Sequence, residues 1–265
     1  MLEPFRKLRL FGKMFLGRVR INVIYFRLIL ARINRRKDEP RDLRIHFLIV
    51  EKEIYVKALR TAVVSLLHHN PNVHITFHLD GKIEEILNKK IWTKLLGKDF
   101  KYSNVEGSDW RLDKLFIIVG ISGTRDIFCD ADLRFHGPIP KLDGIQFFVN
   151  EGPKLKEYPY KDFHQTFCSK EQVSVANSAQ MLNTSIFTWG GLEINAEERE
   201  LLFKAFRFFD VALEKSGKSR LSEQIALSFL AQARNFQWTT WKESDYWMDG
   251  KFIDSTYTGN SGITF

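Results

Sequence analysis

Two carboxylates, Asp130 and Asp132, close the apolar run in RDIFCDAD and are the side chains best suited to chemistry in this sequence. Successive side chains diverge at the end of a strand, so both acids reach one cation only if the backbone turns there. Carboxylate oxygens suit Mg²⁺ or Mn²⁺, which share their remaining positions with phosphates. The pair therefore predicts a metal site for a phosphorylated substrate, with a pair of solvated turn residues as the alternative.

The composition indicates a globular protein of the α/β class. The chain has 265 residues, of which 44% are hydrophobic, so it can bury a substantial core in one domain of ordinary size. Cys129 and Cys168 give neither a disulfide framework nor a metal-ligand spacing. We therefore expect a reducing compartment.

The positive charge is concentrated at the amino end. Residues 1–37 contain 11 Lys or Arg against one acid, Glu3, whereas the whole chain carries +8. No apolar run there reaches the roughly 18 uncharged residues of a spanning helix, and Arg27 interrupts the segment that a signal peptide would need to be apolar. Three interpretations remain: an interfacial helix on anionic lipid, which the many long aliphatic residues favour; a solvated helix packed on the domain; and a nucleic-acid arm.

The elements that must position the acids begin after a charged turn, so we place the boundary between a basic arm, 1–41, and the main domain, 42–265, at this point. A strand at 45–50, a helix at 55–69 and a strand at 73–79 predict a βαβ unit with parallel pairing. Further helices are predicted at 83–96, 112–120, 196–215 and 222–233, and further strands at 126–129, 145–149 and 185–189. Residues 236–265 read as irregular structure.

Four motifs occur in an order that resembles a known family. They are IVEKEIYVKALRTAVVSLLHHNPNVHITFHLDG, which contains Tyr55, Ser65 and Asp80; IFCDADLRF, which contains the acid pair; LNTS, which contains Asn183; and SEQ, which contains Glu223 and Gln224. Over residues 44–259 the chain resembles the retaining glycosyltransferases of family eight, which includes bacterial lipopolysaccharide galactosyl- and glucosyltransferases. The resemblance implies the GT-A fold, which is Rossmann-like: a single mixed, mainly parallel sheet with flanking helices.

The resemblance also implies an activity and a division of labour. The expected reaction is transfer of a hexose from a UDP-sugar to a glycan or glycolipid acceptor with retention, with Mn²⁺ or Mg²⁺ as cofactor. The implied metal residues are Asp130 and Asp132. The implied donor-binding residues are Glu53, Tyr55, Lys114, Asp130 and Asn183, with Arg111 as the alternative to Lys114; Glu223 and Gln224 are the implied catalytic residues. With the basic arm, this predicts a cytoplasmic enzyme at the inner face of the membrane, with no nucleic-acid partner.

The sequence departs from the family pattern at several positions. Thr256 stands where the family often has a metal-binding His, and Ser185 replaces the Gly of its Asn-x-Gly motif. Lys52 and Ile54 replace polar residues beside Tyr55, and Asp254 is a candidate for a substitute oxygen ligand. These departures keep open an alternative function, a catalytically degenerate domain that binds a nucleotide sugar or acts as a scaffold in glycan assembly.

A second class of enzyme, the aspartyl-nucleophile phosphatases, also places D-x-D after an apolar strand. Those enzymes carry the motif near the start of the chain and have Thr or Val two residues after the second Asp. Here a βαβ unit precedes the pair and Arg134 occupies that position. The sequence therefore favours the transferase.

Overall fold

A computed structural model describes residues 23, 43–50, 53–80, 92, 101–105, 109–133, 135, 139, 144–148, 181–214, 217 and 219–241. Contacts divide the chain into two compact units, which are described separately. The first comprises Met1–Val105, Asp130–Pro140 and Glu243–Phe265, and the second comprises Glu106–Cys129 and Lys141–Lys242. Among the described residues, no helix has the length and apolar character needed to cross a bilayer.

Among the residues that the structure describes, the first unit has three parallel strands and one long helix. The strands are β1 (Leu43–Ile49), β2 (Val73–Asp80) and β3 (Lys101–Val105), and β2 pairs with both of the others. Helix α1 (Glu53–His69) follows β1 and buries an almost continuous apolar surface, formed by Ala58, Leu59, Ala62, Val63, Val64, Leu66 and Leu67. Alternate residues of β2 are buried, among them Phe77, whose ring contacts those of Phe47 and Trp92. The predicted βαβ unit with parallel pairing is confirmed.

The polar face of this sheet carries a histidine pair. His46 on β1 and His78 on β2 lie on the same face, with 2.9 Å between Nδ1 of His46 and Nε2 of His78. The two rings are stacked, with centroids 5.2 Å apart. At this distance one nitrogen must donate a proton and the other accept it, so at least one ring is neutral.

The described part of the second unit combines strands and three longer helices. The strands are β4 (Ile127–Cys129), β5 (Ile145–Phe148), β6 (Asn183–Thr188) and β7 (Trp238–Trp241). Strand β6 runs antiparallel to β4 and β5, and β7 pairs in parallel with β5. The helices are α2 (Trp110–Gly120), α3 (Ala196–Glu214) and α4 (Ser222–Ala233), with a 3₁₀ turn at Ser219–Leu221 before α4.

The aromatic core of this unit forms around Trp189. Its side chain is 2% exposed, and its indole N–H donates to the carbonyl of Ile118 at 2.7 Å. Phe187 packs edge-on against the indole with 4.8 Å between ring centroids, and Phe187 also faces Phe128 in the β4–β6 register. The indole is thus buried with its one polar group satisfied, as an aromatic core residue requires.

Two glycine backbones meet closely in the second unit. Gly190 has φ of +60°, and a Cβ built on it would lie 2.0 Å from the carbonyl oxygen of Gly144, whose own φ is +70°. A side chain at position 190 would therefore be strained in its backbone and blocked by main-chain atoms. The turn after β6 depends on this contact.

Most sequence-predicted elements are confirmed. Among the described strands, three of the five pairings within the units are parallel, and the α/β class is correct. Helix α4 has the predicted bounds, and the other matched elements differ at their ends by a few residues. Strand β3 was not predicted, and the expectation of irregular structure from 236 onward is wrong at Trp238–Trp241, which pairs with β5. The helix predicted at 83–96 lies outside the described residues except for Trp92, which is helical. The basic arm also lies outside them except for Val23.

Candidate functional site

The acid pair follows β4 directly and lies in a turn. Asp130 is the first residue after Cys129, and the turn is formed at Ala131 and Asp132, which confirms the predicted change of backbone direction. Ala131 and Leu133 are each 6% exposed, whereas the two acids are partly exposed. The small and apolar residues thus anchor the turn, while the two acids next to them stay partly exposed.

The segment after the acids is attached to α1 by two side chains. The backbone N–H of Phe135 donates to Oγ of Ser65 at 2.9 Å, and that of Ile139 donates to Oδ1 of Asn70 at 2.8 Å. All four residues belong to the first unit. Sequence reasoning matched Ser65 to a family pattern without assigning it a role. Its signal was a hydroxyl in the apolar run VVSLL, because a buried polar group requires a partner.

Lys114 and Glu223 form a buried ion pair in the second unit. The Lys114 ammonium lies 3.7 Å from Oε1 of Glu223, and each side chain is only 3% exposed. The ammonium also lies 5.1 Å from the ring centroid of Phe128, within the range of a cation–π contact. The structure therefore brings together a residue predicted to bind the donor and one predicted to be catalytic.

Arg111, the alternative to Lys114, is committed to a different network. Its guanidinium bonds both carboxylate oxygens of Asp109, the N-cap of α2, at 3.0 and 2.7 Å, and also contacts Asp210 and the carbonyl of Ser219. Burial alone would raise the pKa of Asp109, but hydrogen bonds and the charge of Arg111 hold it below its ordinary value. Arg111 thus connects α2, α3 and the 3₁₀ turn. The role of Lys114 or Arg111 at a phosphate stays a prediction.

The chain around the start of β6 is bonded to the first two turns of α4. The N–H of Thr184 donates to Oε1 of Gln224 at 3.4 Å, and the N–H of Leu182 donates to Oγ of Ser228 at 2.8 Å. Oδ1 of Asn183 accepts from the N–H of Ser185 at 2.8 Å, which shapes the local turn. Gln224 is partly exposed, whereas its neighbour Glu223 is buried. The predicted site residues Asn183 and Gln224 therefore lie on two segments, β6 and α4, that hydrogen bonds join.

Four other residues named from the sequence have side chains outside the described part of the structure. Glu53 and Tyr55 lie in the first turns of α1, with side chains outside the described part of the structure. Asp254 and Thr256 lie outside the described residues altogether. Their predicted roles remain predictions.

The donor set of the acid pair fits a hard divalent cation. Within the described ranges, no group of three or more His, Cys, Asp or Glu side chains is arranged to hold a metal. Mg²⁺ sites at phosphates commonly use only one or two carboxylates and complete their coordination with water and phosphate oxygens. Two partly exposed carboxylates in one turn meet that requirement.

Comparisons with known proteins found similarity at the level of structure. No protein-family model and no curated protein matches the chain. Several of the solved structures found are glycosyltransferases. The apo form of GlyE from Streptococcus pneumoniae TIGR4 has 14% identity and a TM-score of 0.42, covering 76% of this chain and 45% of its own. This chain thus spans less than half the length of GlyE.

Two further structures have comparable scores. Mouse xyloside xylosyltransferase 1, in its apo form, has 13% identity and a TM-score of 0.41, covering 77% of this chain and 86% of its own. The mannosyltransferase PcManGT from Pyrobaculum calidifontis, solved with GDP-Man and Mn²⁺, has 7% identity and a TM-score of 0.33, covering 87% of this chain and 86% of its own. With TM-scores of 0.42 or lower, these similarities assign neither donor nor acceptor to this chain.

Proposed function

We propose that this chain is a metal-dependent glycosyltransferase that moves a hexose from a UDP-sugar to a glycan or glycolipid acceptor with retention. The observation that carries the proposal is the acid turn after β4. Asp130 and Asp132 are partly exposed there, while Ala131 and Leu133 between and beside them are buried. This arrangement suits a cation shared with a diphosphate more than a pair of unconstrained surface acids.

In this proposal Asp132 is the direct metal ligand, and Asp130 divides its oxygens between the metal and the ribose of the donor. When bound, Mn²⁺ or Mg²⁺ supplies positive charge against the negative charge that develops on the departing diphosphate. Tyr55 offers a ring for the base to stack on, and Glu53 accepts a hydrogen bond from the base. Asn183 bonds hydroxyls of the sugar.

The contrast between Glu223 and Gln224 favours a front-side attack assisted by the leaving phosphate over a covalent route. Glu223 is buried and paired with Lys114, whereas Gln224 is partly exposed. A nucleophilic carboxylate would have to leave that ion pair in order to reach the anomeric carbon. In the proposed mechanism Gln224 therefore lies nearest the anomeric carbon, and Glu223 orients Lys114 toward the phosphates.

The proposal is tested most directly by replacing Asp132 with Ala. A UDP-sugar is expected to raise the melting temperature of the unmodified protein only when Mn²⁺ is present, because the diphosphate completes the coordination of the cation. In Asp132→Ala this metal-dependent shift should disappear. The measurement is a thermal-shift screen of UDP-sugars with and without Mn²⁺.

Glu214→Ala, which removes an exposed carboxylate at the end of α3, is the matched control and should retain the full shift. No stabilisation of the unmodified protein by any nucleotide sugar would contradict the proposal. Metal-dependent binding without hydrolysis or transfer of the sugar would instead favour the degenerate nucleotide-sugar-binding or scaffold protein, an alternative that Thr256 supports.

We further propose that residues 1–41 form a membrane-binding arm on the domain formed by 42–265, at the cytoplasmic face of an anionic membrane. Deleting residues 1–37 removes a segment with a net charge of +10, or 11 Lys and Arg against Glu3, together with its aliphatic side chains. The deletion is expected to abolish co-sedimentation with anionic vesicles and to leave the circular dichroism of the domain in place. Vesicles without anionic lipid are the control, and binding that survives the deletion or is insensitive to salt would contradict this assignment.

A further inference from the structure

The acid turn depends on side-chain contacts for its backbone hydrogen bonds. In the described part of the segment after Cys129, the residues lie in turns and irregular backbone. Phe135 is 5% exposed, so its N–H must find a partner within the protein. Oγ of Ser65 supplies that partner at 2.9 Å, and Oδ1 of Asn70 supplies the next one, to Ile139, at 2.8 Å.

Both acceptor side chains are themselves fixed. Ser65 is 5% exposed and its hydroxyl donates to the carbonyl of Ala62 at 2.9 Å, so the lone pairs of Oγ face Phe135. Asn70 is 9% exposed, and its Nδ2 and backbone N–H both donate to the carbonyl of Leu66, at 3.3 and 2.7 Å. Neither side chain can change rotamer without losing a hydrogen bond of its own. They therefore act as rigid acceptors at the carboxyl end of α1.

These bonds restrict the turn that carries the carboxylates. Asp132 lies three residues after Cys129, the last residue of β4, and three residues before Phe135, whose N–H is bonded to Ser65. Buried Ala131, Leu133 and Phe135 hold the same stretch by packing. A two-carboxylate site needs its ligands held to within about 0.5 Å, which a turn fixed at one end only would not ensure.

We infer that Ser65 and Asn70 are positioning residues for the metal-binding turn, acting on Asp130 and Asp132 through the backbone hydrogen bonds of Phe135 and Ile139. The inference rests on the proposed function. Groups that orient metal ligands without touching the metal commonly change metal affinity by about 10- to 100-fold when removed. We expect an effect in that range for Ser65→Ala and a smaller one for Asn70→Ala, whose contact lies further from the acids.

The test compares the full-length protein with Ser65→Ala, with the conservative variant Ser65→Thr, which keeps the hydroxyl, and with Val63→Ala. Val63 is fully buried on the same helix, so its truncation destabilises α1 without removing a bond to the turn. The first readout is amide hydrogen exchange across residues 131–139. Exchange at Phe135 should accelerate in Ser65→Ala and remain slow in Ser65→Thr and Val63→Ala.

The second readout is the affinity for Mn²⁺ in the presence of UDP, measured from the paramagnetic resonance signal of free Mn²⁺. Ser65→Ala should bind Mn²⁺ about tenfold or more weakly than the unmodified protein. The Thr variant should recover most of that loss, and Val63→Ala should retain the original affinity.

The outcomes separate the inference from the proposed function. If the unmodified protein does not bind Mn²⁺ with UDP, the proposed function is overturned and the inference falls with it. If it binds and Ser65→Ala binds equally well, only the inference is overturned. An equal loss in Ser65→Ala and Val63→Ala also overturns the inference, since it would trace the effect to general destabilisation of α1.

Discussion

Replacing Glu223 with Gln is expected to lower the free energy of unfolding by about 3 to 5 kcal/mol, because the change leaves the buried ammonium of Lys114 without its carboxylate partner. The two groups lie 3.7 Å apart and are each 3% exposed, so water cannot replace the lost charge. Lys114→Met should cost a similar amount for the reciprocal reason. The measurement is the midpoint of urea unfolding.

The double variant Lys114→Met with Glu223→Leu distinguishes an ion pair from two independent residues. Removing both charges relieves both desolvation penalties, and such replacements are often neutral or stabilising. The double variant should therefore be more stable than either single variant. The matched control is Glu200→Gln, which makes the same substitution in the exposed pair of Glu200 and Lys204 on α3 and should leave the midpoint unchanged. A Glu223→Gln protein as stable as the Glu200→Gln protein would contradict the prediction.

The same comparison bears on catalysis. If Glu223 only orients Lys114, the loss of transfer activity in Glu223→Gln should be matched by Lys114→Met, because each variant breaks the same pair. A direct role at the anomeric carbon would instead make the Glu223 variant much the weaker enzyme. Gln224→Ala, which alters a partly exposed side chain, should reduce turnover with less loss of stability.

The stability of the first unit is expected to fall as the pH falls below about 6.5. Burial, together with repulsion from His46, lowers the pKa of His78 to about 3. The folded protein holds the His78 ring in its neutral form, because its pKa in the folded state is lower than the value of 6.5 in the unfolded chain. The free energy of unfolding is therefore unaffected by this residue above pH 6.5 and decreases as the pH falls from 6.5 toward about 3. The loss from this one residue is up to about 1.4 kcal/mol per pH unit.

Urea midpoints measured from about pH 7 to about pH 4.5 check this dependence. His78→Gln removes the titrating ring and keeps a polar side chain facing His46, so it should flatten the slope across this range. His68→Gln is the control, because His68 lies exposed at the end of α1. The expectation would be wrong if the His78 variant and the unmodified protein lost stability in parallel.

The sequence allowed prediction of elements whose burial follows a regular period. The helical run of α1 and the alternation of β2 are local patterns, so both elements appear close to their predicted positions. Strands β3 and β7 have the sequences KYSNV and WTTW, which contain no such pattern. They become strands because β2 and β5 supply their hydrogen bonds, a tertiary effect that local propensity does not encode.

The candidate site was also predicted only in part. The D-x-D pair after an apolar run can be recognised in the sequence, and the need for a turn follows from strand geometry. The partners of the turn are not readable, because Ser65 and Phe135 are 70 residues apart in sequence. The hydrogen bonds of Arg111 to Asp109 and Asp210 likewise depend on the packing of α2 against α3, which the sequence alone does not show.

The contact of Gly190 with Gly144 has a consequence for sequence comparison. Because a Cβ at Gly190 would meet the main chain of residue 144 at 2.0 Å, no rearrangement of side chains can accommodate a substitution there. Two loops far apart in the chain are thus tied at one point, and insertions must fall on either side of it. In distant relatives with the same contact we therefore expect a glycine at the position of Gly190, which would mark the end of β6 in an alignment.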